Sequence, residues 1–505
     1  MKESKRKSGI LLHISSLPSR FGVGDLGSEA YRLIRQLASH GFSVWQMLPL
    51  GPHGPGNSPY QAYSAYAGNI IFIAPDLLLE WGILMPEDTA WSESFSEKKV
   101  EYDQVMRFKS ALMKKAWGRF QALDDGPFHA EFHRFIDEHN WWLHDYALYK
   151  VCRSYHNDEP WNQWPEQLAK RDEAELERYG TMLADDLIQE KFIQFIFFRQ
   201  WFKLKQYAEA HQLELFGDLP LYVAHDSADV WANQKHFLLD DRGEPLLKGG
   251  VPPDYFSEDG QLWGNPVYNW EELKQTHYHW WIARLYFNFH LYHLLRIDHF
   301  RGLESFWAIP ADADTARNGE WMKAHGDELL AIMKKRMGDL PIVAEDLGII
   351  TPAVEALRHR YNLPGMKVLQ FAYESDESNE HLPHNFHGRN VVYTGTHDNS
   401  TLTGWWKQLN NAAKQRVRQY APHPKKSVPD RLIELAWSST AEIAIVPMQD
   451  LLKLDAQARM NIPGTATGNW TWRCTGKQLK HDAFKRMQKM NKLYNRYNEF
   501  DLHRR

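Results

Sequence analysis

Three short runs decide the reading of this chain: LLRIDHFRG (294–302), LPIVAEDLG (340–348) and VVYTGTHDN (391–399). In each, a stretch of apolar residues stops at or just before an acid, Asp298, Glu345 and Asp398 in turn. Short, continuously apolar runs are the pattern of strands covered on both faces in a parallel sheet. Acids at the C-terminal ends of successive strands lie where a barrel enzyme keeps its chemistry. Two carboxylates in one cleft are the minimum equipment for breaking a glycosidic bond.

Five further runs complete the pattern: GILLHI (9–14), FSVWQML (42–48), LELFGDL (213–219), MKVLQFA (366–372) and EIAIVPM (442–448). Amphipathic helical patterns lie between several of them. In the first, Ala30, Leu33, Ile34, Leu37 and Ala38 share one stripe, Ser28 is placed to cap the start and Gly41 follows the end. Eight strand–helix units predict an α/β fold, a (β/α)8 TIM barrel forming one catalytic domain over 1–505. An open doubly wound sheet is the structural rival. Two intervals are too long for a single helix. The first, 52–208, is expected as a mostly helical insertion building one wall of the cleft, with helical patterns at 100–121, 128–155 and 187–211. The second, 225–292, is expected to carry an active-site lid loop at 248–266. After the eighth run there is room for a helix over 477–497 but not for a C-terminal β-sandwich domain.

The bulk numbers exclude several classes. With 505 residues, 43% hydrophobic and 24% charged, the composition is that of an ordinary globular protein. A net charge of -5 offers nothing to a nucleic acid or an anionic membrane surface. Two cysteines, Cys152 and Cys474, cannot build a disulfide framework and fit a reducing cytoplasm. The opening MKESKRKSGILLHI has too short an apolar core, and no small-residue cleavage site, for a signal peptide. No stretch has the length of a membrane span. The aromatic content, 13%, is high enough to suggest stacking on sugar rings, although any single ring reads more readily as core.

Each motif has a plain alternative. Arg296 and Asp298 alternate along a strand and so share a face. A guanidinium beside an aspartate favours its charged, nucleophilic form, yet a structural ion pair at a strand end would look the same. Of the neighbours Glu345 and Asp346, only one can face a barrel mouth. Glu345 is the candidate general acid, which requires a raised pKa, and Asp346 the turn or cap residue. The His397–Asp398 pair fits half a hydrolase triad, a metal site or a sugar clamp, and the absence of G-x-S-x-G weakens the first. GVGDLG (22–27) matches a dinucleotide-binding pattern but lacks its ribose-binding acid. His290, His293 and His299 lack any zinc-binding spacing and read as ordinary histidines. KGGVPPDYFSEDGQLWGNP (248–266) and GNSPYQAYSAYAGN (56–69) have the look of binding loops, the latter with Tyr60, Tyr63 and Tyr66.

Taken together these segments resemble the 4-α-glucanotransferases of glycoside hydrolase family 77, in the α-amylase clan. The resemblance runs through HISSLPS (13–19), NSPYQAYSAYAGN (57–69), GDLPLYVAHDSADVW (217–231), GGVPPDYFS and WGNP (249–266), LRIDHFRG, VAEDLG, GTHDN and RMNIPGTATGNWTWR (459–473). It implies that Asp298 is the nucleophile, Glu345 the acid/base and Asp398 the transition-state stabiliser. Arg296 and His397 stand beside them, and Tyr60, Asp254, Trp263 and Asn265 match positions lining the glucan cleft. It further implies transfer of an α-1,4-glucan segment from malto-oligosaccharides or amylose to glucose or another malto-oligosaccharide. The route would be a retaining double displacement with the two carboxyls about 5–5.5 Å apart. No metal or organic cofactor, nucleic acid or membrane is called for. An α-amylase-type hydrolase and a non-catalytic glucan-binding barrel are the alternatives; the first predicts water rather than sugar as acceptor, the second loss of a catalytic acid.

Overall fold

The structure, a computed structural model, describes residues 6–253, 257–480 and 482–499. Its twelve strands are β1 (Lys7–Leu11), β2 (Val44–Gln46), β3 (Glu214–Leu219), β4 (Leu247–Val251), β5 (Gln261–Pro266), β6 (Leu294–Ile297), β7 (Ser305–Pro310), β8 (Glu320–Lys323), β9 (Ile342–Ala344), β10 (Gly365–Val368), β11 (Asn390–Tyr393) and β12 (Ile443–Pro447). Eight of them, all parallel, close into a barrel in the order β1-β12-β11-β10-β9-β6-β3-β2. These are the eight apolar runs, and closure removes the open-sheet alternative. The strands are short and almost wholly buried, which is why they read as unbroken apolar runs rather than alternating ones. The first connecting helix, Ser28–Ser39, buries the expected stripe, with Gly27 rather than Ser28 as its N-cap.

The segment expected as a lid loop is different. Most of 248–266 is β4 and β5, the first half of an antiparallel sheet ordered β5-β4-β7-β8. The connection between them reaches the cleft through Pro252 and Gln261, while at Gly249 the Tyr222 ring packs 2.8 Å from where a β-carbon would sit, so close packing rather than a turn requires that glycine.

Between β2 and β3 run the helices Tyr102–Gln121, Pro127–Tyr155, Glu173–Met182 and Ala184–Ala210. Only the stretch 55–61 of this insertion reaches the cleft, and the long helices stand behind it. Helix Ala184–Ala210 clamps the chain that leads there. Gln194 bonds both the N–H and the carbonyl of Gly68 (2.8 and 3.2 Å), and Gln200 does the same for Ala74 (2.7 and 3.0 Å). A side-chain amide that mimics a strand neighbour satisfies loop backbone that would otherwise be buried unpaired.

At the opposite end of the barrel, Arg496 is fully buried and donates to the carbonyls of Lys7, Trp437, Ser439, Ala441 and Glu442. It ties the start of β1 to the start of β12, where the barrel closes. Beyond β12 the described residues form short helices and loops, with no β-sandwich. No helix among the described residues is long and apolar enough to cross a membrane.

Candidate active site

The C-terminal ends of neighbouring strands deliver the acids. Asp298 and Glu345 each follow their strand by one residue, and the ladder continues past both: Asp298 N–H donates to Leu219 O (2.9 Å) and Glu345 N–H to Ile297 O (3.1 Å). Asp398 lies five residues beyond β11, on the loop that follows it. All three line one cleft of about 1060 Å³.

Arg296 organises the first acid. Asp218 on β3 and Arg296 on β6 are register partners. One guanidinium nitrogen donates to both Asp218 oxygens at 2.8 Å, and the other donates to Asp298 Oδ1 at 2.7 Å. Tyr60 completes the group by donating its hydroxyl to Asp218 Oδ2 at 2.8 Å. Burial works against the Arg296 charge, but the flanking Asp218 and Asp298 carboxylates outweigh it and hold the guanidinium well above its ordinary range. Burial raises Asp218, the Asp298 charge adds to the effect, and Arg296 opposes it.

Glu345 is held by backbone alone. One oxygen accepts from His299 N–H at 2.7 Å, the other from Leu347 N–H at 3.0 Å. His299 has the left-handed φ of 53°, an uncommon conformation for a residue with a side chain. The turn it makes directly after Asp298 leaves its own N–H on Glu345, a local strain of the kind that collects at functional sites. Burial and the Asp298 charge push the Glu345 carboxyl up to about 7, against the lowering effect of Arg296 and the two N–H donors. The neighbouring Asp346 points elsewhere, accepting from Met366 N–H (2.7 Å) and pairing with Arg358 (3.0 Å).

Asp398 Oδ1 accepts from Asn461 Nδ2 at 2.6 Å and lies 3.3 Å from His397 Nε2. Arg459 donates to the Asp398 carbonyl. His397 stacks on Tyr60, ring centroids 5.1 Å apart, and both lean on Trp470. Across the cleft the Trp263 ring meets His299 edge-on at 4.8 Å.

Of the residues singled out from sequence, Asp298, Glu345, Asp398, Tyr60, Trp263, Asn265, Arg296 and His397 all line this cleft. Asp254 lies outside the described residues. Asn265 is buried, and its amide is already engaged, accepting from Gln61 (3.1 Å) and donating to Val223 O (2.8 Å). Its side chain therefore braces the wall. Sequence reading missed Asp218, Asn461 and Trp470, and it set His299 aside with two unrelated histidines: His290 packs on Phe202, and His293 faces Glu209. An acid inside the apolar run LELFGDL was the one available signal for Asp218. GVGDLG also has a structural explanation, since a β-carbon on Gly24 would collide with the Ile14 carbonyl.

Closed parallel barrels with paired carboxylates at their strand ends are an architecture of glycoside-cleaving and glycoside-transferring enzymes. Comparison with known proteins is more specific. The family model described as 4-alpha-glucanotransferase, of the glycoside hydrolase 77 group, matches residues 12–479, and the chain belongs to that family. It is 48% identical over 496 residues to a 4-alpha-glucanotransferase of Synechocystis, covering 97% of this chain and 98% of the relative. A 4-alpha-glucanotransferase of Thermus thermophilus is 44% identical with the same coverage. Among solved structures, the amylomaltase of Streptococcus agalactiae in complex with acarbose superposes with a TM-score of 0.95 at 35% identity, covering 98% of this chain and 100% of that one.

Proposed function

We propose that this chain is a 4-α-glucanotransferase acting by a retaining double displacement on α-1,4-glucans. Asp298 attacks the anomeric carbon while Glu345 gives its proton to the departing glycosidic oxygen, so the leaving glucan departs as a neutral alcohol. Glu345, now ionised, then takes the proton from the 4-hydroxyl of an acceptor sugar. That oxygen displaces Asp298 and restores the α linkage. Asp398 binds hydroxyls of the sugar whose ring becomes oxocarbenium-like, with His397 and Tyr60 packed around it. Donors are malto-oligosaccharides, amylose or other starch- or glycogen-derived chains, and acceptors are glucose or malto-oligosaccharides. Two buried, unpaired cysteines, Cys152 and Cys474, support a cytoplasmic setting.

The observation that carries this reading is a contrast between neighbours. On adjacent strand ends Asp298 is ion-paired to Arg296, while burial moves Glu345 to about 7, so one carboxyl is equipped as nucleophile and the other as proton donor. The Tyr60–His397–Trp470 stack and Trp263 support transfer over hydrolysis, because aromatic walls that exclude water protect a glycosyl-enzyme from it. Incubation with maltotriose tests the proposal. A ladder of longer oligosaccharides together with glucose is expected, and Asp298→Ala should remove it by several orders of magnitude with the fold retained. Glucose and maltose alone would make the chain a hydrolase.

A further inference from the structure

Trp321 on β8 is an exposed ring, 39% accessible, at the rim of the catalytic cleft. Its orientation is fixed. The Arg301 guanidinium lies 3.5 Å from the ring centroid on one side, and Trp307, its register partner on β7, meets it at 60° with centroids 5.2 Å apart. Arg301 is itself buried and anchored on the Ile349 carbonyl, and the Ile349 side chain is 53% exposed on the same rim. An isolated exposed Trp needs no explanation. A Trp braced on one face by a buried guanidinium and continuous with an active-site cleft does.

We infer that Trp321 is an outlying stacking platform for a glucan chain, a binding subsite beyond the reacting rings. This rests on the proposed function for the identity of the ligand. Arg301 and Trp307 hold the ring while 39% of the residue stays accessible, and a flat apolar surface with a fixed tilt suits the apolar face of a glucose ring. Arg301 is only three residues beyond Asp298, at most about 10 Å of extended chain. A glucan with its scissile bond at Asp298 therefore comes within reach of Trp321 within several glucose units, and a donor long enough to cover the ring gains a contact that a shorter one forgoes. The consequence is selective: Trp321 discriminates by chain length.

The test compares Trp321→Ala and Trp321→Phe with the wild-type enzyme on two donors, amylose and maltotriose. In the alanine variant the ratio of kcat/KM on amylose to that on maltotriose should fall about tenfold, the scale of one lost ring contact. The phenylalanine variant should recover most of it. Retardation of the protein in a native gel containing amylose should weaken in parallel. Equal losses on both donors, or an unchanged ratio, would overturn the platform. If the wild-type enzyme makes no maltotriose ladder but amylose still retards it through Trp321, the proposed function fails and the platform stands.

Discussion

Asp218 and Arg296 face each other in register across β3 and β6, and the guanidinium that takes both Asp218 oxygens also holds Asp298. The proposed nucleophile, Asp298, is thus aimed by a residue one strand further round the barrel. Removing the Asp218 charge leaves a buried guanidinium with one partner instead of two. Asp218→Asn should lower kcat on maltotriose about 100-fold, because a misplacement on the scale of an ångström at the reacting atoms costs that much. Steady-state transfer assays alongside a thermal melt separate this from unfolding, and a variant within a factor of two of wild type would free Asp298 from Asp218.

Glu345 sets a pH dependence of known sign. In the proposed mechanism its proton is needed in the first step, so kcat/KM should fall as pH rises through about 7. Stability follows the same group. Its folded-state pKa lies above the ordinary 4.5, so its contribution is fully present below 4.5 and is lost as pH rises through about 7. Glu345→Gln should flatten that part of the unfolding free-energy profile, by on the order of 3 kcal/mol between the two limits. Urea titrations of both proteins at several pH values measure it, and parallel profiles would refute it.

Asn461 fixes Asp398 from a loop remote in sequence. Asn461→Ala should reduce kcat about tenfold while changing KM less, since one charge-assisted hydrogen bond is lost from a group placed to act on the transition state. Initial rates over a range of maltotriose concentrations distinguish the two parameters.

Arg496 bears on folding alone. Its truncation to Ala would leave a cavity and take one donor from each of five carbonyls, of which Trp437 and Ser439 keep Arg6 and Glu442 keeps the Lys7 N–H, at a cost of about 3–5 kcal/mol. Chemical denaturation should show that loss, while specific activity at low temperature, per folded molecule, stays close to wild type.

The barrel and its three acids were legible in the chain because buried strands leave an unbroken apolar signature and each acid follows closely on it. Asp218 showed only as an acid inside an apolar run, because its part in the site comes from cross-strand pairing with Arg296, and the pairing itself leaves no trace in local composition. Asn461 and Trp470 come from a loop without periodicity. The strands within 248–266 were not legible either, since Gly249 permits close packing in a sheet yet resembles loop glycine. Asn265 lines the cleft, and a sequence does not show that its amide is already occupied by Gln61 and Val223.

Both oxygens of Glu345 rest on peptide N–H groups, those of His299 and Leu347. A point mutation deletes a side chain but not a main-chain donor, proline excepted. The proposed proton carrier thus keeps its aim while the side chains around it change, so the walls of this cleft are open to redesign for new acceptors without resetting the acid proposed to serve them.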